Sequence, residues 1–319
     1  MALTVLVVAE PGDKTLSAFD TVGSDVEFVV GNEAEAFADA APRAEVLVAW
    51  SSDRATLERV FAAAPRLRWV HSWAAGVEWL LFPALLERDV VLTNTRGVYS
   101  DSLAEFAVGA MLYFAKDLAR MKASQRARRW EPFDVQMLRD ATLGIAGYGD
   151  IGRRVAALGA SMGMKLLALR RHPERSTGDP LKAEMVTSKR ILCERSDYLV
   201  LAAPITPETR HMIGTAELGA MRPGAVLVNV GRGALVDQAA LVSALQRGAI
   251  RGAALDVFET EPLPPDDPLY GLDNVLLSPH TADHTATWRD EAMRCFLENL
   301  RRFRAGEPLD HVVDRARGY

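Results

Sequence analysis

The segment TLGIAGYGDIGRRVAALGASMGMKLLAL, residues 142–169, sets three glycines between a strand-like apolar run and a helix-like one. A helix follows the turn, and a second apolar run follows the helix. In such a unit Gly147 permits a tight turn, Gly149 lets the backbone approach a ligand closely, and Gly152 lets the helix pack on the strand. The amides that open the helix, across Gly147, Tyr148, Gly149, Asp150, Ile151 and Gly152, then face an anion. Strand, glycine turn, helix and second strand in this order point to the pyrophosphate of a dinucleotide.

The rest of the chain repeats the same alternation. Short β-rich runs at 3–9, 44–50, 67–72 and 90–94 are spaced by helix-sized intervals. Further runs follow in TLGIAG, KLLAL, YLVLAA, AVLVNV, AALDV and VLLSP. They are continuously apolar, as expected of parallel strands with helices on both sheet faces. A long amphipathic run from Asp101 to Trp130 predicts a helix that Ser100, Asp101 or Ser102 can cap. A last helix is expected from about Ala286 to Arg304. The reading is α/β, with two domains.

Composition narrows the partners. With 319 residues, 49% hydrophobic and a net charge of -5, the chain suits a folded enzyme better than a nucleic-acid or anionic-membrane binder, which needs a basic excess. The basic stretch RMKASQRARRW reads as a solvated helix end. No run reaches the roughly 18 apolar residues of a membrane span, and MALTVLVVAE lacks a basic leader, so cytoplasmic residence is the expectation. Cys193 and Cys295, with no second thiol or metal-spaced histidine nearby, read as inert. No metal is expected.

Cofactor type is decided at the end of the strand after the glycine turn. An acid there would bind the adenosine 2′-hydroxyl, whereas arginine accommodates a 2′-phosphate. Counting from Gly152 reaches Arg170, Arg171 and His172, in LLALRRHPERS, with no acid at the strand end. NADP(H) is therefore expected, with NAD(H) the second option; the bland reading of this cluster is a solvated loop.

Three later strand ends carry chemistry: VLVNVGRGALVDQAAL with Arg232, GAALDVFETEPLPPDDPLY with Asp256, Glu259 and Glu261, and NVLLSPHTADHTA with His280. In this order after GYGDIG, these stretches resemble the D-isomer-specific 2-hydroxyacid dehydrogenases, as do AAAPRLRWVHSWAAGVEWL and LTNTRGVYSDSLAEFAVGAML. The resemblance runs from about Ala44 to the C-terminus. It implies two Rossmann-like doubly wound domains, with a cofactor domain at 103–283 inserted into a discontinuous substrate domain at 1–102 and 284–319. It further implies a site in the cleft and a homodimer.

Reducing a 2-oxo acid needs a hydride at the carbonyl carbon and a proton for the developing alkoxide. His280 is suited to supply the proton, Glu261 to orient and charge it, and Arg232 to hold the carboxylate or polarise the carbonyl. The resemblance gives these three the same roles. It also places the amides of Ala75 and Gly76 against the substrate carboxylate, Asp256 near the nicotinamide carboxamide, and Pro204, Val230 and Gly231 along the cofactor. Trp50 and Trp73 read equally as pocket walls or packing residues. Glu259 reads as a turn or ion-pair residue, and His71, His211 and His311 as structural or surface ones. After His280 the sequence departs from the common family pattern, because HTADH brings in Asp283 and His284. The expected activity is reduction of a small 2-oxo acid such as glyoxylate or hydroxypyruvate. An NAD-linked phosphoglycerate-type dehydrogenase and a dinucleotide-sensing corepressor are the other readings.

Overall fold

A computed structural model describes every residue except Met1, Ser52, Thr177, Ala316 and Tyr319, and the side chain of Arg175. The chain forms two compact units, one from residues up to 99 and from 286 onward, the other from 100 to 285.

The first unit opens with β1 (Leu3–Val8) and β2 (Val26–Gly31), then β3 (Val46–Ala49), α1 (Arg54–Ala63), β4 (Trp69–Ser72), α2 (Pro83–Glu87) and β5 (Val91–Thr93). Its sheet runs β2-β1-β3-β4-β5, with every pairing parallel. β2 is an edge strand that the sequence pattern does not reveal, because four of its six residues are only half-buried.

The second unit contains α3 (Ser100–Ala115), α4 (Leu118–Arg126), β6 (Thr142–Ala146), α5 (Asp150–Ser161), β7 (Lys165–Leu169) and the short β8 (Glu184–Val186). It continues through α6 (Lys189–Arg195), β9 (Tyr198–Leu201), α7 (Thr215–Ala220), β10 (Val226–Asn229), α8 (Gln238–Gln246), β11 (Gly252–Leu255) and β12 (Val275–Leu277). The strands order as β12-β11-β10-β9-β6-β7-β8, so the direction of winding reverses between β6 and β9. In open parallel sheets that reversal opens a crevice at the strands' carboxyl ends, where the glycine turn sits.

The long helix expected from Asp101 is broken in two. Asp117 takes a left-handed conformation (φ 51°) and its side chain accepts from the Arg120 amide, which starts α4 afresh. The side chains expected to cap α3, those of Ser100, Asp101 and Ser102, bond elsewhere. The Ser100 hydroxyl bonds the Asp150 carboxylate, the Ser102 hydroxyl donates to the Ala282 carbonyl at 2.6 Å, and Asp101 pairs with Arg154 at 2.9 Å. These side chains tie α3 to its neighbours instead of closing its own first turn.

The chain returns to the first unit as α9 (Trp288–Ala305). Alternation within β1 divides the core: Leu6 and Val8 meet Leu57, Val60 and Phe61 of α1, while Val5 and Val7 share a cluster with Ala292, Met293, Phe296 and Leu300 of α9. Phe296 is fully buried, with its ring stacked 5.5 Å from Trp69 and edge-on to Phe19 at 6.1 Å. Phe296→Ala is expected to lower stability by about 3–5 kcal/mol, the cost of burying less and leaving a cavity. Urea unfolding measures it, and a loss below about 1 kcal/mol would show that α9 does not hold that face of the sheet.

Candidate active site

The glycine turn meets the steric demands of its sequence. Gly147 has φ +95°, and a Cβ there would lie 2.5 Å from the Ala203 amide nitrogen. A Cβ on Gly152 would lie 2.1 Å from the Gly147 carbonyl oxygen. Gly149 differs, since a Cβ there would meet nothing within 4 Å. The bare side of this turn therefore faces open space at the N-terminus of α5, which no side chain caps. Bare amides facing open room fit a pyrophosphate.

At the end of β7, Arg170 is half-buried and donates to the Ser176 hydroxyl at 2.9 Å. Arg171 pairs with Glu208 at 2.9 Å and His172 with Glu174 at 3.0 Å. The three side chains follow one another in the chain, and the last two hold exposed partners, pairings that contribute little to stability. Across the reversal point, the Val230 amide donates to the Leu201 carbonyl at 3.2 Å, and the Pro204 carbonyl accepts from Thr209 at 2.7 Å. A Cβ on Gly231 would lie 3.1 Å from the Ala203 carbonyl oxygen, so the turns after β9 and β10 nest together.

Arg232 follows that turn. The buried Asn229 side chain accepts from the Gly231 amide at 3.1 Å and donates to the Arg232 carbonyl at 3.0 Å. Gly233 then lies flat on the neighbouring turn, where a Cβ would come within 1.9 Å of the Phe258 carbonyl. Only glycine permits that approach, and it sets Arg232 beside Glu261. One Glu261 oxygen accepts from the Phe258 amide at 2.9 Å and the other bonds His280 Nδ1 at 2.7 Å. His280 takes a left-handed backbone (φ 54°) in a turn that Asp256 holds. A single oxygen of the buried Asp256 accepts from the Ser278 hydroxyl at 2.6 Å and from the amides of Thr281 and Ala282 at 3.0 Å each.

The hydrogen bond to Glu261 raises the His280 pKa above its ordinary 6.5. Burial opposes the rise, the charges of Glu261 and Asp256 add to it, and Arg232 works against it. For Glu261 burial favours the neutral form, but the bonds from His280 and Phe258, with Arg232 nearby, outweigh it and hold the carboxyl below 4.5. With Nδ1 committed to the carboxylate, the histidine's Nε2 is the atom left to exchange a proton. A cavity of about 580 Å³ adjoins the pair, walled by Phe258, Pro262, Leu263, Tyr270 and Leu277.

In the first unit, the Ala75 carbonyl accepts from Asn94 at 2.6 Å and the Gly76 carbonyl from the Trp79 indole at 3.0 Å. Trp50 and Trp73 line a cavity of about 740 Å³ with Trp288, Arg289 and Asp13. Asp13 accepts there from the Trp50 indole at 3.1 Å and from Arg289 at 3.0 Å.

Residues 108–282 match the D-isomer specific 2-hydroxyacid dehydrogenase, NAD binding domain, and curated relatives match across most of the chain. The chain belongs to the D-isomer specific 2-hydroxyacid dehydrogenase family. A glyoxylate reductase of Aeropyrum pernix is 39% identical over 284 residues, covering 86% of this chain and 84% of that one. A D-3-phosphoglycerate dehydrogenase of Methanocaldococcus jannaschii is 32% identical over 97% of this chain, which spans only 59% of that longer protein. A D-isomer specific 2-hydroxyacid dehydrogenase from Xanthobacter autotrophicus Py2, solved in complex with NADPH and MES, superposes with a TM-score of 0.87 at 30% identity, each chain covered in full.

Side chains around the dehydrogenase's dyad explain several weaker sequence signals. Glu259 pairs with His211 at 2.5 Å and is turned to a different partner from Glu261. His71 is a core residue, bonded to Thr93 at 2.8 Å, and burial lowers its pKa to about 3. Asp283 is mostly buried, which raises its pKa, and lies 3.7 Å from His284. Among the described residues no cluster could hold a metal ion. Both thiols are free and protonated near neutrality, since burial raises Cys193 to about 12 and Cys295 to about 11. Asn229 is the positioning residue that sequence reasoning missed; its signal is the asparagine directly before VGRG.

The His280–Glu261 pair stabilises the fold most between about pH 4.5 and 6.5. Its contribution is lost at lower pH as the carboxylate protonates through its lowered pKa, and at higher pH as the imidazole deprotonates through its raised one. In Glu261→Gln, NMR titration of the His280 ring should show a lower midpoint than in the parent enzyme. An unmoved midpoint would mean that the carboxylate does not govern the imidazole.

Proposed function

We propose that this dehydrogenase reduces small 2-oxo acids such as glyoxylate or hydroxypyruvate with NADPH, giving the D-hydroxy acid where the product is chiral. The observation that carries this reading is the 2.7 Å contact between Glu261 and His280 Nδ1 with Arg232 alongside. When bound, the nicotinamide supplies the hydride that reaches the carbonyl carbon. His280, kept protonated by Glu261, gives its Nε2 proton to the carbonyl oxygen. Arg232 offers a planar pair of donors to the substrate carboxylate or carbonyl. The amides of Ala75 and Gly76, whose carbonyls are held by Asn94 and Trp79, bind the carboxylate. Trp50 and Trp73 bound the room for the acid's side chain, a role supported by their place on the first unit's cavity.

For the cofactor, Gly147 through Gly152 take the pyrophosphate, and Pro204, Val230, Gly231 and Asp256 flank the nicotinamide half. Arg170, Arg171 and His172 take the 2′-phosphate, for which the weak exposed partners Glu208 and Glu174 are readily exchanged. The Xanthobacter relative's complex with NADPH supports this assignment.

The decisive experiment follows absorbance of NADPH and NADH with a panel of 2-oxo acids that includes a phosphorylated one. Turnover with NADPH and small unphosphorylated acids is expected, with kcat/KM falling as pH rises through the raised His280 pKa. His280→Ala should lose about 10²–10⁴ in kcat while still binding cofactor. Consumption of neither cofactor, or near-parent activity in His280→Ala, would remove the reading.

The same reading gives a homodimer in the cytoplasm. Trp130, Met137, Val135, Met121 and Leu118 are all exposed within one stretch of chain, Trp130 at 96%, and a second copy is the partner that would cover them. Light scattering of the cytosolic fraction should return twice the chain mass. The monomer mass, or recovery in another fraction, would overturn these two assignments.

A further inference from the structure

Tyr148, the second residue of the glycine turn, has a polar end that the fold leaves without an obvious purpose. Its side chain is 1% exposed, and its hydroxyl has no hydrogen-bond partner of ordinary geometry. Asp179, beyond the end of β7, is in the same condition. Its side chain is 6% exposed, and while one oxygen accepts from the Leu181 amide at 3.2 Å and lies 3.7 Å from Arg153, the other is buried and unpaired. A buried lone donor and a buried lone acceptor each carry the full cost of lost hydration. The two groups face one another closely enough for the carboxylate to push the phenol's pKa up, with Arg153 and Arg170 acting on the same hydroxyl.

Asp179 is also the organiser of its own segment. Its amide donates to the Ser176 carbonyl at 3.0 Å, and its carbonyl accepts from Lys182 at 3.1 Å. Ser176 in turn holds Arg170 through its hydroxyl at 2.9 Å. Arg170 at the end of β7 therefore depends on a segment whose anchor, Asp179, acts on the hydroxyl of Tyr148 in the glycine turn.

We propose that Tyr148 and Asp179 form a buried hydrogen-bonded latch that seats residues 178–182 on the glycine turn and so holds Arg153 and Arg170 in the arrangement that accepts a 2′-phosphate. Tyr148 donates and Asp179 accepts. The two act as positioning residues, setting preference for a 2′-phosphorylated dinucleotide without touching the reacting atoms. The proposal rests on the NADPH reading above, and the experiment separates the two.

Calorimetric titration of the full chain with 2′,5′-ADP and with ADP isolates the 2′-phosphate without turnover. The parent protein should bind 2′,5′-ADP more tightly. In Asp179→Asn affinity for 2′,5′-ADP should fall about tenfold, as expected for loss of one hydrogen bond to a charged group, while ADP stays within about twofold, and Tyr148→Phe should show the same loss for 2′,5′-ADP. Equal weakening of both ligands would mean that the pair only stabilises the fold, and weakening of neither would mean that no latch exists; either result overturns the proposal. A parent protein that binds both ligands equally would overturn the NADPH reading, and the latch with it.

Discussion

Backbone passes so close to backbone along the carboxyl edge of the second unit's sheet that a side chain cannot be fitted at three positions. A Cβ on Gly147, Gly152 or Gly233 would fall between 1.9 and 2.5 Å from a neighbouring main-chain atom. Parallel strands all end on one edge, so the turns that follow them are crowded into a single row. Nesting is how the fold accommodates that crowding, and it is what brings Arg232 from one turn, Glu261 from the next and His280 from a third to the same place. Of the three glycines of the turn, Gly149 is the one that faces open room, and that asymmetry leaves space for a ligand at the start of α5.

Electrostatics then holds the arrangement. The left-handed backbone of His280 costs about 1–2 kcal/mol. Hydrogen bonds to charged groups are worth about 1.5–3 kcal/mol each, and Asp256 accepts three of them from the segment around His280. The conformation therefore persists, and the ring reaches Glu261. The result is a histidine whose protonated form is favoured, with one nitrogen committed to the carboxylate. That state is the product of two carboxylates on neighbouring turns.

Much of this was legible in the sequence. Continuous apolar runs carry the signature of strands buried on both faces, and Gly147, Gly149 and Gly152 leave few alternatives for the segment that holds them. Arg232, Glu261 and His280 could be picked out because each follows a strand, in an order that resembles the family's. The misses have physical causes. β2 and β8 are half-exposed edge strands with weak patterns. The run from Asp101 is helical throughout in composition, and only Asp117's left-handed turn divides it. The serines expected to cap α3 are spent on Asp150 and Ala282 instead.

What the sequence alone determined is the set of elements and the chemical types at their ends, because periodicity and turn residues act locally. How Glu261 reaches His280 while Glu259, two residues away, turns to His211 was decided by tertiary structure. The same holds for Asn229, Asp256 and the Tyr148–Asp179 pair. Their partners lie between 2 and 31 positions away, those of Asp256 at 22 or more, and the longer separations are closed only by folding.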